Sequence, residues 1–394
     1  MSFMDRVTPD IGPIRAFLDD RHVTFAEAAG GFAQEIARRP APADDTACRR
    51  EARALLTDLG GGGWLTPIQD QDWRGCCLAR EALAAASPLA DAVFALQALG
   101  TLPLLLADES PMRERWAADA IGGRAMAAFA MTEPGAGSDV AAIATTARRE
   151  GAPGEAGSDY VLNGFKTFIS NAGIADFYVV FASTDPTAGG KGISCFVVPA
   201  HAPGLRFVGA QVLSAPHPLG EIAFEDCRVP ASDRLGEEGR GFALGLKTLD
   251  RLRATVGAAA CGMAARALAE ALSHARDRRQ FGKPLAEFQL VQEKLARMAT
   301  DLTAARLLVY RAAWAADRGA ERVTLEAAMA KAFATEAAQR IVDDAVQVLG
   351  GAGVMASHPV DRLYRAVRAL RIYEGTTEIQ HLVIAGQLLK EPGT

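Results

Sequence analysis

The sequence predicts an α+β multidomain protein with an N-terminal α-helical domain, a central antiparallel β domain and a C-terminal four-helix bundle. Three observations predict it. The chain has 394 residues, enough for two or three domains of ~150 residues. Apolar residues recur at helical spacing in the first and last thirds, and short β-rich runs separated by Gly, Pro, Asp and Asn fill the middle. The predicted domain boundaries are 1–122, 123–233 and 234–394.

The first domain is Ala- and Leu-rich, which favours helices. In the run TFAEAAGGFAQEIARR, Thr24 is expected to cap a helix. The predicted buried stripe of that helix consists of Phe25, Ala28, Phe32 and Ile36. The four glycines Gly60 to Gly63 and the stretch Trp64 to Arg74 interrupt the helical pattern and predict a long loop.

The most apolar window of the chain, residues 88–107, is compatible with a membrane span only by its length. It contains Asp91 and Gln97, and loop-forming residues flank it. We therefore predict a buried helix and no membrane span.

Five short runs in the central third have the composition of β-strands: YVLNGF, FYVVFAST, ISCFVVPA, LRFVGA and EIAFEDCRVP. No segment between them has a helical pattern of ten residues. Parallel strands need crossover connections, usually helices, so a mostly antiparallel sheet is predicted.

Long helical patterns return after residue 234. They predict a long helix from Gly241, a second helix over Pro284–Gly319, a third over Thr324–Leu349 and a last one over Thr377–Leu389. Long helices joined by short connections favour a four-helix bundle.

Composition excludes several function classes. The 42 Lys and Arg residues against 47 Asp and Glu give a net charge of −5, and the chain has no basic block, so neither nucleic acid nor an anionic membrane surface is the expected partner. The six scattered cysteines predict thiols in a reducing compartment. The first residues lack the apolar core of a signal peptide, so we expect a cytoplasmic protein. The six histidines are too dispersed for a metal site, and none is predicted.

Four polar clusters at domain edges carry the candidate chemistry. They are AMTEPGAGSD (130–139), NGFKTFISNAG (163–173), RDRRQFGKPLAEFQ (276–289), and QVLGGAG (347–353) together with YEGTTEIQ (373–380). Each alone has an ordinary alternative: a glycine turn, core packing of an aromatic ring, a solvated basic patch, or an inert loop carboxylate.

Taken together and in this order, the clusters resemble the flavin-dependent acyl-CoA dehydrogenase family. The resemblance covers essentially the whole chain, including the long helix from Gly241. It implies FAD as cofactor, an acyl-CoA as substrate, electron-transferring flavoprotein as electron acceptor, and a homotetramer built as a dimer of dimers.

The resemblance also assigns cofactor-binding residues. Those implied to line the flavin within one subunit are Phe129, Met131, Thr132, Ser138, Phe168 and Ser170. Those implied to reach the FAD of a neighbouring subunit are Arg278, Gln280, Phe281, Gln347 and Gly351. Thr376 and Glu378 match FAD contacts beside the base. Phe168 and Ser170 stand where the family often has Trp and Thr.

Glu374 matches the catalytic base of the family. A thioester α-proton is weakly acidic, so removing it requires a desolvated carboxylate of raised pKa. Leu252 occupies the place where some relatives carry their base, which leaves Glu374 without a rival. The residues implied to contact the substrate are Ser138, Asp250, Arg253, Leu96, Leu99 and Gly375.

Two departures bear on the substrate. The segment 211–227 lacks a family motif near the acyl entrance and contains Pro216-His217-Pro218, so the pocket mouth is expected to differ. Leu96 and Leu99 are large enough to shorten the acyl pocket, which favours a short, branched or cyclic acyl-CoA. The sequence leaves open an oxidase, a carrier-protein thioester dehydrogenase or a lyase on the same fold, and a catalytically silent flavoprotein scaffold.

Overall fold

The computed structural model describes residues 7–107, 110–151 and 159–390. The chain divides into two compact units, each of which is described by itself. The helical unit comprises Met1–Pro40, Gln71–Asp91 and Asp250–Thr394. The sheet unit comprises Ala41–Asp70 and Ala92–Leu249.

The elements follow the predicted order of helices, strands and helices. The helices are α1 (Asp20–Ala37), α2 (Asp45–Gly61), α3 (Thr66–Gln69), α4 (Trp73–Ala86), α5 (Pro88–Leu106), α6 (Pro111–Ile121), α7 (Gly241–Asp277), α8 (Gln289–Asp317), α9 (Thr324–Leu349), α10 (Pro359–Leu370) and α11 (Thr377–Leu388). The strands are β1 (Ala127–Ala130), β2 (Thr146–Glu150), β3 (Asp159–Ser170), β4 (Phe177–Ser183), β5 (Ile193–Pro199), β6 (Leu205–Ala210), β7 (Leu219–Pro230), β8 (Arg234–Leu235), β9 (Arg279–Gln280) and β10 (Lys283–Pro284). The α+β fold class is confirmed, while the three domain boundaries stay predictions.

The C-terminal helices differ from the expectation in two places. Helix α9 begins and ends at the predicted residues, but α8 begins at Gln289 rather than Pro284. The reason is that β10 pairs with β9 in a small antiparallel hairpin before the helix starts. Helix α10, with Pro359 in its first turn, was not among the predicted helices.

The predicted buried stripe of α1 is correct for Ile36 but wrong for Ala28, and Phe25 and Phe32 are half-buried. Asp19, not Thr24, precedes the helix and forms a capping box with His22. The buried face consists of His22, Ala26, Ala29, Gly30, Ala33 and Ile36, whereas Ala28 is exposed. Small residues face the interior because the segment around Thr8 approaches this helix closely: a Cβ on Gly30 would lie 2.5 Å from the Thr8 hydroxyl oxygen.

The predicted loop after residue 60 is correct only in part: turns at 62–65 and 70–71 alternate with helical segments. Helix α2 continues through Gly61, and α3 and the start of α4 lie within the stretch 64–74. Gly60 is required by a close approach, since a Cβ there would lie 2.3 Å from the carbonyl of Gly122. Here a packing requirement, rather than a turn, accounts for the glycine.

The large sheet of the sheet unit has the strand order β6-β7-β3-β2-β4-β5-β8, with β1 paired to β4. Pairings β1–β4 and β2–β4 are parallel, and the remaining pairs of this sheet are antiparallel. Every residue of β4 is buried. Tyr178 and Val180 belong to one hydrophobic cluster and Phe177 and Val179 to another, so both faces of β4 are covered.

Helix α5 is long and apolar enough to cross a membrane. It is the one such helix among the residues the structure describes, and 78% of its most apolar window is buried. This burial agrees with the buried helix predicted for residues 88–107 and is typical of a core helix.

Helix α4 is held to α8 by a buried polar network and approaches α7 closely. The Glu81 carboxylate of α4 accepts hydrogen bonds from Arg306 Nε (2.8 Å) and the Tyr310 hydroxyl (2.9 Å) of α8. The backbone carbonyl of Glu81 faces Gly262 of α7, where a Cβ would lie 2.1 Å from the oxygen. The position of α4 therefore depends on glycine at 262.

We expect Gly262→Ala to lower the free energy of unfolding by about 1–3 kcal/mol, because the added methyl group must displace backbone. Gly31→Ala is the matched control, since Gly31 also lies inside a helix but has nothing within 4 Å of its Cβ position. Its expected effect is a gain of ~0.5–1 kcal/mol from helix propensity. Urea unfolding of the holoprotein measures both, and equal effects would contradict the close approach of α4 and α7.

Candidate active site

Glu374 lies in a tight turn between α10 and α11. Its backbone has φ +54° and that of Gly375 has φ +90°, two consecutive residues in the left-handed region. Such a conformation is costly for a non-glycine residue and persists only when the surroundings hold it. Thr376 then caps α11, its hydroxyl oxygen accepting a hydrogen bond from Ile379 N at 3.3 Å.

Side chains from α9 and α11 hold this turn by its backbone carbonyls. Lys331 Nζ donates to Gly375 O at 2.6 Å. Gln380 Nε2 donates to Glu374 O at 3.1 Å and to Gly375 O at 3.0 Å. The turn is thus fixed from two helices, and the direction of the Glu374 side chain is fixed with it.

One oxygen of the Glu374 carboxylate lacks a hydrogen-bond donor among the described residues. Its Oε2 is buried and has no hydrogen-bond partner in the described structure. Burial raises the pKa of Glu374, and Asp91 raises it further, while the positive charges of Arg80, Lys331 and Arg253 oppose the rise. A carboxylate of raised pKa with a vacant lone pair has the properties of a general base.

The groups acting on Glu374, namely Arg80, Asp91, Arg253 and Lys331, form with it the Glu374 cluster. Within this cluster, Arg80 and Asp91 form a buried ion pair. Arg80 donates from Nε (2.7 Å) and Nη2 (3.0 Å) to the two Asp91 oxygens, and from Nη1 to the Thr255 hydroxyl at 3.0 Å. Sequence analysis did not assign either residue to the site. The signal was Asp91 itself, because a carboxylate inside an apolar helix requires a buried partner.

Asp250 and Arg253, two of the implied substrate contacts, pair with each other on α7. Arg253 Nη1 donates to Asp250 Oδ1 at 2.6 Å, and the Thr324 hydroxyl donates to the other Asp250 oxygen. Arg253 Nε is buried without a partner in the described structure. The cluster therefore contains a second polar atom, besides Glu374 Oε2, that a bound molecule could satisfy.

In the sheet unit, the end of β3 presents Phe168 and Ser170. The pairing of β3 with β7 shifts register between Lys166 and Ile169, and Phe168 has φ +55°. This interruption leaves the Phe168 side chain 60% exposed. The regular strand expected at this position is therefore broken by a bulge, which aims an aromatic ring outward.

Two side chains of the segment 211–227, whose contacts were not predicted, hold the bulge. Gln211 Oε1 accepts the Phe168 backbone N–H at 2.9 Å. His217 Nε2 lies 2.8 Å from Ser170 Oγ, and burial lowers the pKa of His217 to about 4, so the imidazole is neutral near pH 7. The departure Pro216-His217-Pro218 noted in the sequence thus contacts the strand end directly.

The loop after β1 carries Met131, Thr132 and Ser138. Lys166, fully buried, donates to Met131 O at 3.1 Å and to Glu133 Oε1 at 2.7 Å, and so anchors the start of this loop. Met131 is buried, Thr132 half-buried and Ser138 exposed. Phe129 contacts Phe181, with ring centroids 4.9 Å apart.

The remaining implied residues lie on the β9–β10 hairpin, at the end of α9, at the start of α11 and on α5. Arg278, Gln280 and Phe281 are exposed on or beside the β9–β10 hairpin, and Gln347 and Gly351 are exposed at the end of α9. Glu378 is exposed in the first turn of α11. On α5, Leu96 is half-buried and Leu99 is buried.

A cleft of about 540 Å³ in the sheet unit was not predicted. Its lining includes Lys191 and Arg240, with Phe242 and small residues between them. Two cations in the lining of one cleft form an electrostatic complement to phosphate groups.

One group of possible metal ligands occurs among the described residues, namely His22, Asp72 and Asp317. His22 Nε2 lies 3.1 Å from Asp72 Oδ1. Asp317 already accepts from Arg74 Nε at 2.5 Å and from Trp73 N at 2.8 Å. The predicted lack of a metal site stays a prediction, and this cluster is accounted for by its own hydrogen bonds.

Comparisons with known proteins identify the class. Residues 128–227 match the family model for the acyl-CoA dehydrogenase middle domain, and residues 239–389 match that for the C-terminal domain. The chain is 47% identical to a 3-(aryl)acrylate reductase of Clostridium sporogenes (74% of this chain, 76% of that protein). It is 39% identical to a cyclohexane-1-carbonyl-CoA dehydrogenase of Geobacter metallireducens (86% and 90%).

Two further similarities extend the comparison. The chain is 42% identical to the caffeyl-CoA reductase-Etf complex subunit CarC of Acetobacterium woodii (73% of this chain, 75% of that protein). The solved structure of butyryl-CoA dehydrogenase from Megasphaera elsdenii superimposes with a TM-score of 0.84 at 33% identity, covering 95% of this chain and 99% of that one.

The fold and the matched domains define a flavoprotein oxidoreductase. The chain belongs to the acyl-CoA dehydrogenase family, with acyl-CoA dehydrogenase activity and FAD as its cofactor. Both the family and the cofactor implied by the sequence motifs are confirmed, whereas the individual site residues stay predictions.

The residues present fit FAD. The outward-facing Phe168 ring offers an apolar face to a planar ring system. The Thr132 and Ser138 hydroxyls offer polar contacts, and the Cβ positions of Gly135 and Gly137 have nothing within 4 Å. Open glycine backbone beside hydroxyl groups allows a ligand to approach the main chain closely.

We expect Gly375→Ala to lower kcat on the order of 100-fold while the protein still folds and retains FAD, because a Cβ at 375 would lie 2.5 Å from Gln380 Nε2 and displace the Glu374 turn. Gly319→Ala is the matched control, since Gly319 also has positive φ (+81°) but open space around its Cβ position. Steady-state kinetics with an acyl-CoA measures both. An unchanged kcat for Gly375→Ala would contradict the need for this turn.

Proposed function

We propose that the protein catalyses α,β-dehydrogenation of an acyl-CoA thioester to the 2-enoyl-CoA, with Glu374 as the base that abstracts the α-proton. The single observation that carries this proposal is the buried, unpartnered Oε2 of Glu374 in a turn fixed from two helices. A satisfied structural carboxylate would have hydrogen-bond donors at both oxygens.

The electrostatics of the cluster suit proton abstraction from a weak carbon acid. Burial makes Glu374 a stronger base than an exposed glutamate, which is the direction the reaction needs. Arg80, Lys331 and Arg253 supply positive charge that keeps the carboxylate ionised before the transfer. Through its backbone N–H, Glu374 is proposed to hold the thioester carbonyl, where negative charge develops.

Bound FAD would supply the hydride acceptor that the β-carbon needs. The chain's own contribution is to place the flavin and to exclude water around the base. Phe168 is proposed to contact the ring system, and Thr132 and Ser170 its polar edge. His217 restrains the Ser170 hydroxyl through their 2.8 Å contact.

We propose a short, branched or cyclic acyl group. The relatives named for 3-(aryl)acrylate, cyclohexane-1-carbonyl-CoA and butyryl-CoA support this range. The bulky side chain of Leu99 is buried on α5. The Glu374 cluster contains the Arg80–Asp91 ion pair, and a charged pair is an unfavourable environment for a long alkyl chain. The Lys191 and Arg240 cleft is proposed to receive phosphate groups of CoA.

We further propose electron-transferring flavoprotein as electron partner and a homotetramer as the assembly. The name of the Acetobacterium relative supports the first. Large exposed apolar side chains on the helical unit support the second, since such surfaces mark interfaces. They are Phe281, Leu290, Val354, Met355, Leu382, Leu388 and Leu389. A cytoplasmic location stays a prediction.

Reduction of a 2-enoyl thioester is a second candidate function. Two relatives, at 47% and 42% identity, are named as reductases. The same residues serve both directions, because protonated Glu374 returns a proton to the α-carbon when the reaction reverses. Anaerobic mixing of the reduced protein with 2-enoyl-CoA thioesters tests this, and failure of all of them to reoxidise the protein rejects it.

For dehydrogenation, anaerobic titration of the purified protein with acyl-CoA thioesters is expected to bleach the visible flavin absorbance. Butyryl, branched, cyclic and aryl thioesters are expected to act at lower concentration than dodecanoyl or hexadecanoyl thioesters. Glu374→Gln should retain FAD but lose the bleaching, because the amide cannot accept the α-proton. Glu321→Gln, an exposed glutamate outside the cluster, is the control. Bleaching that survives in Glu374→Gln would exclude Glu374 as base.

For the assembly, Phe281→Asp is expected to shift the protein from tetramer to smaller species and to lower its FAD content, since Phe281 is 93% exposed and contributes little to the fold of its own chain. Val208→Asp, an exposed apolar residue of the sheet unit, is the control. Light scattering coupled to size exclusion measures mass, and the absorbance ratio measures FAD. A tetramer with full FAD in Phe281→Asp would rule out a role for this residue in a shared site.

A further inference from the structure

Lys331 lies inside α9 with 0% of its surface exposed. Its Nζ donates to Gly375 O at 2.6 Å, next to Glu374 in the chain. A buried ammonium is costly unless a negative charge or several hydrogen bonds compensate it. The compensation for Lys331 must therefore come from the groups around the Glu374 turn.

The charged groups facing this turn come from five helices. Arg80 (α4) pairs with Asp91 (α5), and Arg253 pairs with Asp250 on α7. Glu336 (α9) accepts hydrogen bonds from Arg371 and Thr377, both at 2.7 Å, and Glu378 (α11) is exposed. The arginines thus have carboxylate partners, whereas the hydrogen bond described for Lys331 is to a neutral carbonyl.

Glu374 is the acidic group that acts most strongly on Lys331, ahead of Glu336 and Glu378. Its own turn is in the left-handed region and is held by Lys331 and Gln380. Both side chains donate hydrogen bonds to carbonyls of the turn, but Lys331 carries a positive charge and Gln380 is neutral. Lys331 alone couples the position of the turn to the charge of the base.

We propose that Lys331 is a positioning residue for the base: its hydrogen bond to Gly375 O holds the turn that carries Glu374, and its positive charge keeps the Glu374 carboxylate ionised. The inference rests on the proposed function, in which Glu374 abstracts the α-proton. When the proton moves to Glu374, the Lys331 charge is left uncompensated and favours the negative charge that develops on the thioester.

Lys331→Gln separates the two effects, because the amide retains a donor but has no charge. The limb of kcat/KM at low pH reports the base of the free enzyme. We expect this limb to move up by about one pH unit, so that kcat/KM well below the midpoint of the limb falls ~10-fold. Burial lowers the pKa of Lys331 to about 8, so the wild-type and variant profiles should converge above that pH.

Three variants complete the design. Lys331→Arg keeps the charge and should leave the limb in place. Gln380→Leu removes only the uncharged hydrogen bonds to the turn and should lower kcat without moving the low-pH limb of kcat/KM. Lys294→Gln removes a lysine that pairs with Asp344 away from the turn and should change neither.

An unmoved limb in Lys331→Gln overturns the proposal, and so does a limb that moves equally in Lys331→Arg. If Lys331→Gln does not yield folded holoenzyme, Lys331→Arg decides alone: an unmoved limb supports the proposal and a moved limb overturns it.

A readout without turnover separates this inference from the proposed function. The raised pKa of Glu374 means that the protonated form stabilises the fold, so the melting temperature of wild type relative to Glu374→Gln should fall as pH rises above 4.5 and through the folded pKa. In a Lys331→Gln background this fall should extend to higher pH. If no thioester bleaches the flavin but this extension occurs, the proposed function fails and the electrostatic role of Lys331 stands; without the extension, that role fails.

Discussion

The central physical constraint of the helical unit is the burial of a carboxylate that has to stay reactive. Glu374 Oε2 has no hydrogen-bond donor in the described structure, and a charge in that position is tolerated only because cations surround it. Those cations are buried in turn and need partners of their own. Arg80 (α4) requires Asp91 (α5), and Arg253 requires Asp250 (both α7). With Lys331 of α9, four helices contribute to the environment of one oxygen atom.

Backbone geometry at both candidate regions follows the same rule. Glu374 and Phe168 are non-glycine residues with positive φ, and each is held by side chains from another element. Lys331 and Gln380 bind the carbonyls of the Glu374 turn, and Gln211 binds the N–H of Phe168. Strain of this kind commonly collects at functional sites, where rigid neighbours pay for an unusual side-chain direction.

Much of the fold and part of the site could be predicted from the sequence. Strands β3 to β7 and the bounds of α9 follow from hydrophobic period and glycine positions, which are local signals. The motifs identified the family, and Glu374 with it. The predictions that were wrong concern features determined by residues far away in sequence or by local pairing. They are the buried face of α1, the helical conformation of Gly60, and the start of α8, which a hairpin delays. Arg80, Lys331 and the contact of His217 with Ser170 were missed because a single buried polar residue shows its importance only through a partner far away in sequence.

The six cysteines have a consequence for the electrons that this protein handles. All six are free and buried, and burial raises the pKa of each thiol, for example of Cys227 to about 11 and of Cys48 to about 12. At physiological pH they are protonated and weakly nucleophilic. Since the described residues contain no disulfide, the protein offers no disulfide there that could accept the two electrons removed from a substrate. Within the described residues, the thiols therefore take no part in the redox chemistry, and electron transfer depends on the flavin and its partner.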